Sequence, residues 1–225
     1  MTTEIDHLVI GAANLKQGVE YVKNILGVDI PYGGAHAKMG THNHLMRLGK
    51  NTFLEIIAIN NQINPPDNPR WFGLDDPFVR QKIELEPALL TWVVNTKSTN
   101  ELIRGAGFSL GSAELITRGE LSWYFGLPED GRLLGGGMLP YAIEWQTDIH
   151  PSLNMANLGC NLFKIEIHHP YSKWLRSALE SIDAQNLVEI KELPKNTCPF
   201  LVAHISTPFG IKKFSSHDTL NKSLQ

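Results

Sequence analysis

The sequence has only two cysteines, Cys160 and Cys198, and no Cys-x-x-Cys. The missing spacing argues against a thiolate zinc site. Two thiols suit free cysteines of a reducing compartment, the cytoplasm, better than a disulfide framework. Runs of Lys or Arg are missing, and the net charge of −3 offers no electrostatic grip on nucleic acid. No apolar stretch approaches the length of a membrane span, so neither nucleic acid nor membrane is expected as a partner. The opening Met1-Thr2-Thr3 leads into an apolar segment without a basic start, so no secretory leader is read there. No Lys-Ser/Thr follows Gly135-Gly136-Gly137, and no Gly-x-Ser-x-Gly occurs. The triplet therefore reads as a flexible loop, with no nucleotide cofactor expected and no nucleophile elbow.

What remains is ordinary globular material: 225 residues, 42% hydrophobic and 19% charged, enough to bury a core. Ile5 to Ala12 is apolar and β-rich. Asn14 offers a helix cap, and Leu15, Val19, Val22, Ile25 and Leu26 follow at helical spacing up to Gly27. A loop marked by Gly33-Gly34 precedes two strands, His44 to Leu48 and Thr52 to Ile59, joined by a turn at Gly49-Lys50-Asn51. Residues 60–87 are a proline-broken connector with a short helix near Pro77 to Ile83. Its Trp71 and Phe72 either pin the connector to the body or overhang a pocket as a lid.

The pattern then restarts. Leu89 to Val94 is a strand, Thr99 caps a short helix, and Leu121 to Phe125 and Tyr141 to Gln146 are strands. A third start follows, with a strand from Phe163 to Ile167, a helix opened by Pro170, and strands at Leu187 to Lys191, Phe200 to Ser206 and Gly210 to Phe214. From Ser215 the tail is polar and read as frayed. The fold class is therefore α+β, built of repeated βαβββ modules. The predicted organisation is modules at 1–60 and 88–150 making one unit of residues 1–150, with an additional C-terminal βα module at 158–216.

Two carboxylates stand out on physical grounds. Glu55 and Glu144 each sit mid-strand among apolar residues, where a charge is costly unless partnered. Strand alternation puts Ile5, His7 and Val9 on one face, Phe53, Glu55 and Ile57 on another, and Ala142, Glu144 and Gln146 on a third. Thr41, His42 and Asn43 stand after the glycine loop as candidate ligand-binding groups, with His36 and His44 nearby. His150-Pro151 reads as a turn or a wall of the site, and His168-His169-Pro170 as a helix cap.

Asp6-His7-Leu8-Val9-Ile10, Asn14-Leu15, Leu26-Gly27, Phe53-Leu54-Glu55-Ile56-Ile57 and Tyr141-Ala142-Ile143-Glu144-Trp145 together resemble the vicinal oxygen chelate superfamily. Gly40-Thr41-His42-Asn43, Pro140-x-x-Ile143-Glu144-Trp145 and His150-Pro151 resemble its glyoxalase-like domain proteins more narrowly. The resemblance implies paired βαβββ modules that curl into an open mixed-sheet cup. It implies a metal site of His7, Glu55 and Glu144 for one divalent ion (Zn, Ni, Mn or Fe), with a gap at Thr91-Trp92 where a further ligand would stand. Glu55 or Glu144 would then shuttle protons, in a lyase, isomerase or dioxygenase acting on a small oxygen-rich compound. The alternative is a metal-free protein of the bleomycin-sequestering type, with Trp71, Phe72, Trp92, Trp123 and Trp145 as apolar walls. Substrate contacts are expected from Thr41, His42, Asn43, Trp92 and Trp145. Two modules in one chain make a cup without dimerisation, and a homodimer remains compatible.

Overall fold

The computed structural model describes residues 2–216. The first strand, β1 (Thr3–Gly11), runs into α1 (Leu15–Leu26). Asn14 caps that helix by accepting the Gln17 N–H at 3.0 Å, and Gly27 ends it in the left-handed conformation. The strands β2 (Tyr32–His36), β3 (Thr41–Arg47) and β4 (Phe53–Ile59) complete the first module. The glycine pair expected to form a loop is inside β2. The connector carries one helix, α2 (Pro77–Leu85), capped by Asp76. The second module follows as β5 (Ala88–Thr96), α3 (Thr99–Gly105), β6 (Ser112–Arg118), β7 (Leu121–Leu127) and β8 (Tyr141–Trp145). Ser98, rather than Thr99, caps α3 through the Glu101 N–H.

These eight strands form one mixed sheet in the order β2-β3-β4-β1-β5-β8-β7-β6. In each module the first strand pairs parallel with the last, β1 with β4 and β5 with β8, and β1 and β5 pair antiparallel across the middle. The modules are thus related end to end, and the sheet is curled until its two edges meet. Lys38, just beyond β2, pairs with Glu114 of β6 at 3.1 Å, and Arg118 at the end of β6 reaches His36 at the end of β2.

The C-terminal residues form a second sheet from β9 (Asn161–His169), β10 (Glu189–Glu192), β11 (Phe200–Thr207) and β12 (Gly210–Ser215), with α4 (Ser172–Glu180) after β9. Its strand order is β10-β9-β11-β12. The element order repeats that of the other modules, but here the first strand lies between the second and the third, and the four strands form a sheet separate from the cup. Leu175 and Leu179 of α4 are buried, as are Ile165, Ile167, Leu201, Ala203 and Phe214 of the sheet. The tail expected to fray from Ser215 is held at its start, where Ser216 exchanges two hydrogen bonds with Leu201, both 2.8 Å. The rest of that tail lies outside the described residues.

The Gly135-Gly136-Gly137 segment is a structured turn rather than a flexible loop. All three glycines have positive φ, and a Cβ on Gly137 would lie 2.0 Å from the Leu90 carbonyl oxygen. Glycine is required there because β5 passes too close for any side chain.

Candidate functional site

The floor of the cup is built on β1. A register shift between Ile5 and His7 against β5 breaks the alternation of that strand. As a result Asp6 and His7 are both buried and act together, although strict parity would send them to opposite faces. The Asp6 carboxylate is fully buried and accepts three hydrogen bonds: His7 Nδ1 at 2.5 Å, His150 Nε2 at 2.9 Å and Trp145 Nε1 at 2.8 Å. Burial alone would raise its pKa, but the hydrogen bonds and charges of His150 and His7 outweigh that and hold it below the ordinary carboxylate value. His150 accepts the Ser152 N–H on Nδ1, which leaves Nε2 as the donor to Asp6. The expected turn at His150-Pro151 is therefore also a support for the cup floor.

With Nδ1 of His7 donating to Asp6, Nε2 is the ring atom presented to the cup. Phe53 fixes the ring plane by stacking at 4.4 Å. Glu55 Oε2 lies 3.7 Å from Nε2, too far for a direct hydrogen bond. The other oxygen, Oε1, accepts from Asn43 Nδ2 at 2.6 Å. A ring nitrogen and a carboxylate oxygen thus face each other across one small gap.

The rim opposite is positive. Arg118 Nη1 donates to His36 Nε2 at 3.2 Å and reaches Asn43 Oδ1 at 3.4 Å. His36 Nδ1 then carries the proton and donates to the Thr41 hydroxyl at 3.1 Å. Burial, with Arg118 beside it, pushes the His36 pKa down to about 3, so this ring is a neutral acceptor. Partial burial also lowers the pKa of Arg118, against the attraction of Glu55.

Trp71, Phe72, Trp123, Phe125, Ile143, Trp145 and Met155 wall the space. Trp71 and Phe72 unite the two readings of the connector, being anchored in the core and lining the cup at once. The enclosed free volume is about 30 Å³, the room of one water molecule. Trp71 is buried, yet its indole N–H has no hydrogen-bond partner among the described residues. Phe72 holds φ at 58°, a strained left-handed conformation for a bulky residue.

Several sequence-based expectations are corrected by geometry. Glu144 is not in the cup. On β8 it is Ile143 and Trp145 that face inward, and Glu144 turns outward, accepting the Thr99 N–H at 2.8 Å and Gln146 Nε2 at 3.0 Å. Its role there is to hold the start of α3. Trp92 is a core residue rather than a wall, fully buried with its N–H on the Met138 carbonyl at 3.2 Å. His42 alternates out of the cup and meets Tyr32 edge-on, whereas Asn43 points in and Thr41 acts only through His36. Glu144→Gln is expected to cost about 1 kcal/mol of stability, the value of one charge-assisted hydrogen bond at a helix start. Urea denaturation measures it.

This donor set does not fit a resident divalent metal. His7 Nε2 and Glu55 Oε2 stand near enough to share an ion, but Glu144 is turned away and neither Thr91 nor Trp92 replaces a ligand. Catalytic metals are held by three protein ligands as a rule. No group of three or more His, Cys, Asp or Glu gathers suitably among the described residues. Arg118, bonded to the partner of Glu55, adds a positive charge where a dication would need the opposite.

Asp6 and Arg118 complete a site of which the sequence disclosed His7, Glu55 and Asn43, with His36 read as a neighbour and His150 as a turn or wall. Asp6 had a visible signal, since a carboxylate in the apolar run Ile5–Ile10 needs a partner as much as Glu55 does. Arg118 had none, because β6 has no strong strand pattern.

Among known proteins, the family model described as a glyoxalase-like domain matches residues 5–182. A hypothetical protein from Staphylococcus aureus has a similar solved structure, with a TM-score of 0.54 at 13% identity over 81% of this chain and 75% of that one. Methylmalonyl-CoA epimerase from Streptomyces coelicolor, in complex with 2-nitronate-propionyl-CoA, gives a TM-score of 0.44 at 14% identity over 67% of this chain and all of that one. Its counterpart from Mycobacterium tuberculosis gives 0.38 at 15% identity, over 63% and 86%. A search of the curated proteins returns no match.

Proposed function

The chain belongs to the glyoxalase-like domain family, within the vicinal oxygen chelate superfamily, and from that premise we propose that its cup transfers a proton on a small oxygen-rich compound. The reaction class is an isomerase or lyase step at a carbon beside a carbonyl. The observation that carries this reading is the buried relay of His150, Asp6 and His7, which presents Nε2 to the cup across a 3.7 Å gap from Glu55. One of the facing pair takes a proton from substrate carbon. The other, protonated at the start, gives its own proton to the same or the neighbouring atom, and proton exchange with water then restores both groups. Asn43 orients Glu55, and the positive rim at Arg118 favours a negatively charged substrate in the cup.

Aromatic walls alone would serve the alternative, a metal-free sequestering protein, equally well. A fully buried carboxylate with three donors is costly to desolvate and adds nothing to apolar binding, which favours proton transfer. The proposal contains no metal step, because the donors do not fit one.

The test is carbon–hydrogen exchange. Hydroxyacetone, pyruvate and phenylpyruvate, incubated with chelator-treated protein in D₂O, are followed by proton NMR. Loss of a carbonyl-adjacent proton signal faster than with Glu55→Gln protein is the expected result. Equal rates for all three compounds would remove the support for catalysis.

A further inference from the structure

We propose that Arg118 and the indole N–H of Trp71 form a carboxylate-binding subsite in the cup, so that the natural ligand is a small apolar or aromatic compound bearing one carboxylate. This inference rests on the same cup as the proton-transfer reading and adds the class of compound that it admits.

Three observations converge. The first is an unmatched cation. The guanidinium of Arg118 enters the cup, half-buried, and its hydrogen bonds go to the neutral groups of His36 and Asn43. No carboxylate lies within ion-pair distance of it among the described residues, and Glu55 attracts it only from a distance. Glu55 is engaged by Asn43, which stands between them. A partly desolvated arginine whose fork is only half used is a receptor for a planar anion, since the guanidinium offers parallel N–H groups at carboxylate spacing.

The second is an unmatched donor in the same space. Trp71 is 3% exposed, lines the cup, and has no acceptor for its N–H among the described residues. Buried indole N–H groups are ordinarily satisfied, so a missing partner calls for an acceptor that the protein itself does not supply. The ring is edge-on to His36 at 4.9 Å, which is the residue that Arg118 holds, so Trp71 and Arg118 both adjoin His36 in the cup lining.

The third is the rest of the wall. Phe53, Phe72, Trp123, Phe125 and Trp145 supply flat apolar surface and no further positive charge. A ligand with several charges would leave all but one unpaired there. One carboxylate at the Arg118 corner with an apolar body across the aromatic floor matches both halves.

The free volume of about 30 Å³ holds no such molecule. Entry therefore displaces a wall. Phe72, held at a left-handed φ of 58°, is the strained point of that wall. Binding should accordingly be read out by the Trp71 environment itself.

The experiment compares 3-phenylpropionate with its neutral isostere 3-phenylpropanamide, by calorimetry and tryptophan fluorescence. Wild type is expected to bind the acid at least about tenfold more tightly than the amide, the value of one charge-assisted hydrogen bond. Arg118→Gln should abolish that preference, Arg118→Lys should restore part of it, and Trp71→Phe should weaken acid binding several-fold. His7→Gln should keep the preference. Equal affinity for acid and amide in wild type, no binding of the acid at millimolar concentration, or a preference that survives in a folded Arg118→Gln protein would overturn the subsite. Proton exchange that fails while the preference holds would sink the catalytic reading alone, and the reverse would sink the subsite alone.

Discussion

Asp6→Asn is expected to destabilise the protein by about 3–5 kcal/mol, the cost of removing one partner from a buried charged network. Three donors converge on this carboxylate, from His7, His150 and Trp145. An asparagine offers one oxygen to the three, and its amide group is itself a donor. The protein must then either leave an N–H unsatisfied or flip a histidine tautomer. If His7 flips, Nε2 carries the proton, and the face it shows to the cup changes from acceptor to donor. The substitution should therefore reduce proton exchange as well as stability. Urea denaturation at neutral pH measures the first effect.

The pH dependence has a definite sign. Asp6 is held below the ordinary carboxylate value, so the stability it contributes is complete above that value. It is lost as pH falls through the depressed native pKa. Wild type should lose stability steeply below about pH 4, and Asp6→Asn should lose less over the same interval.

His7→Gln is expected to lower the exchange rate by about 10²–10⁴-fold, the usual contribution of a positioned acid–base group. Glutamine can still donate to Asp6, so folding should suffer by only about 1–2 kcal/mol. The separation between a large kinetic effect and a small thermodynamic one is the point of the variant. Asp6 should move both quantities, and His7 chiefly the rate. Adding Zn, Ni, Mn or Fe should not restore the lost rate, since the remaining donors cannot hold the ion.

The paired modules were legible because each begins with an apolar strand, a capped helix and a glycine stop, all of which are local signals. Position along the strand was legible only where the pairing is regular. Phe53 and Glu55 point together as alternation requires. On β1 a bulge at Asp6, the residue left without a partner on β5, sets alternation aside, and no alternation pattern in the strand announces it. Glu144 shows the converse. A carboxylate among apolar residues does need a partner, but the partner here is a backbone N–H of α3, outside the cup. Such a partner lies 45 residues away along the chain and has no side-chain signature. Arg118 and His36 become neighbours only when the sheet curls and its edges meet, which no local pattern encodes.

Deuterium exchange by chelator-treated wild-type protein, set beside His7→Gln, bears most directly on the claim that this cup moves protons with its own side chains. Exchange at a carbon beside a carbonyl that persists after chelation, and drops at least about a hundredfold in His7→Gln, is the predicted result. Exchange that vanishes on chelation and returns with Zn, Ni, Mn or Fe, or that is unchanged in His7→Gln, would contradict it.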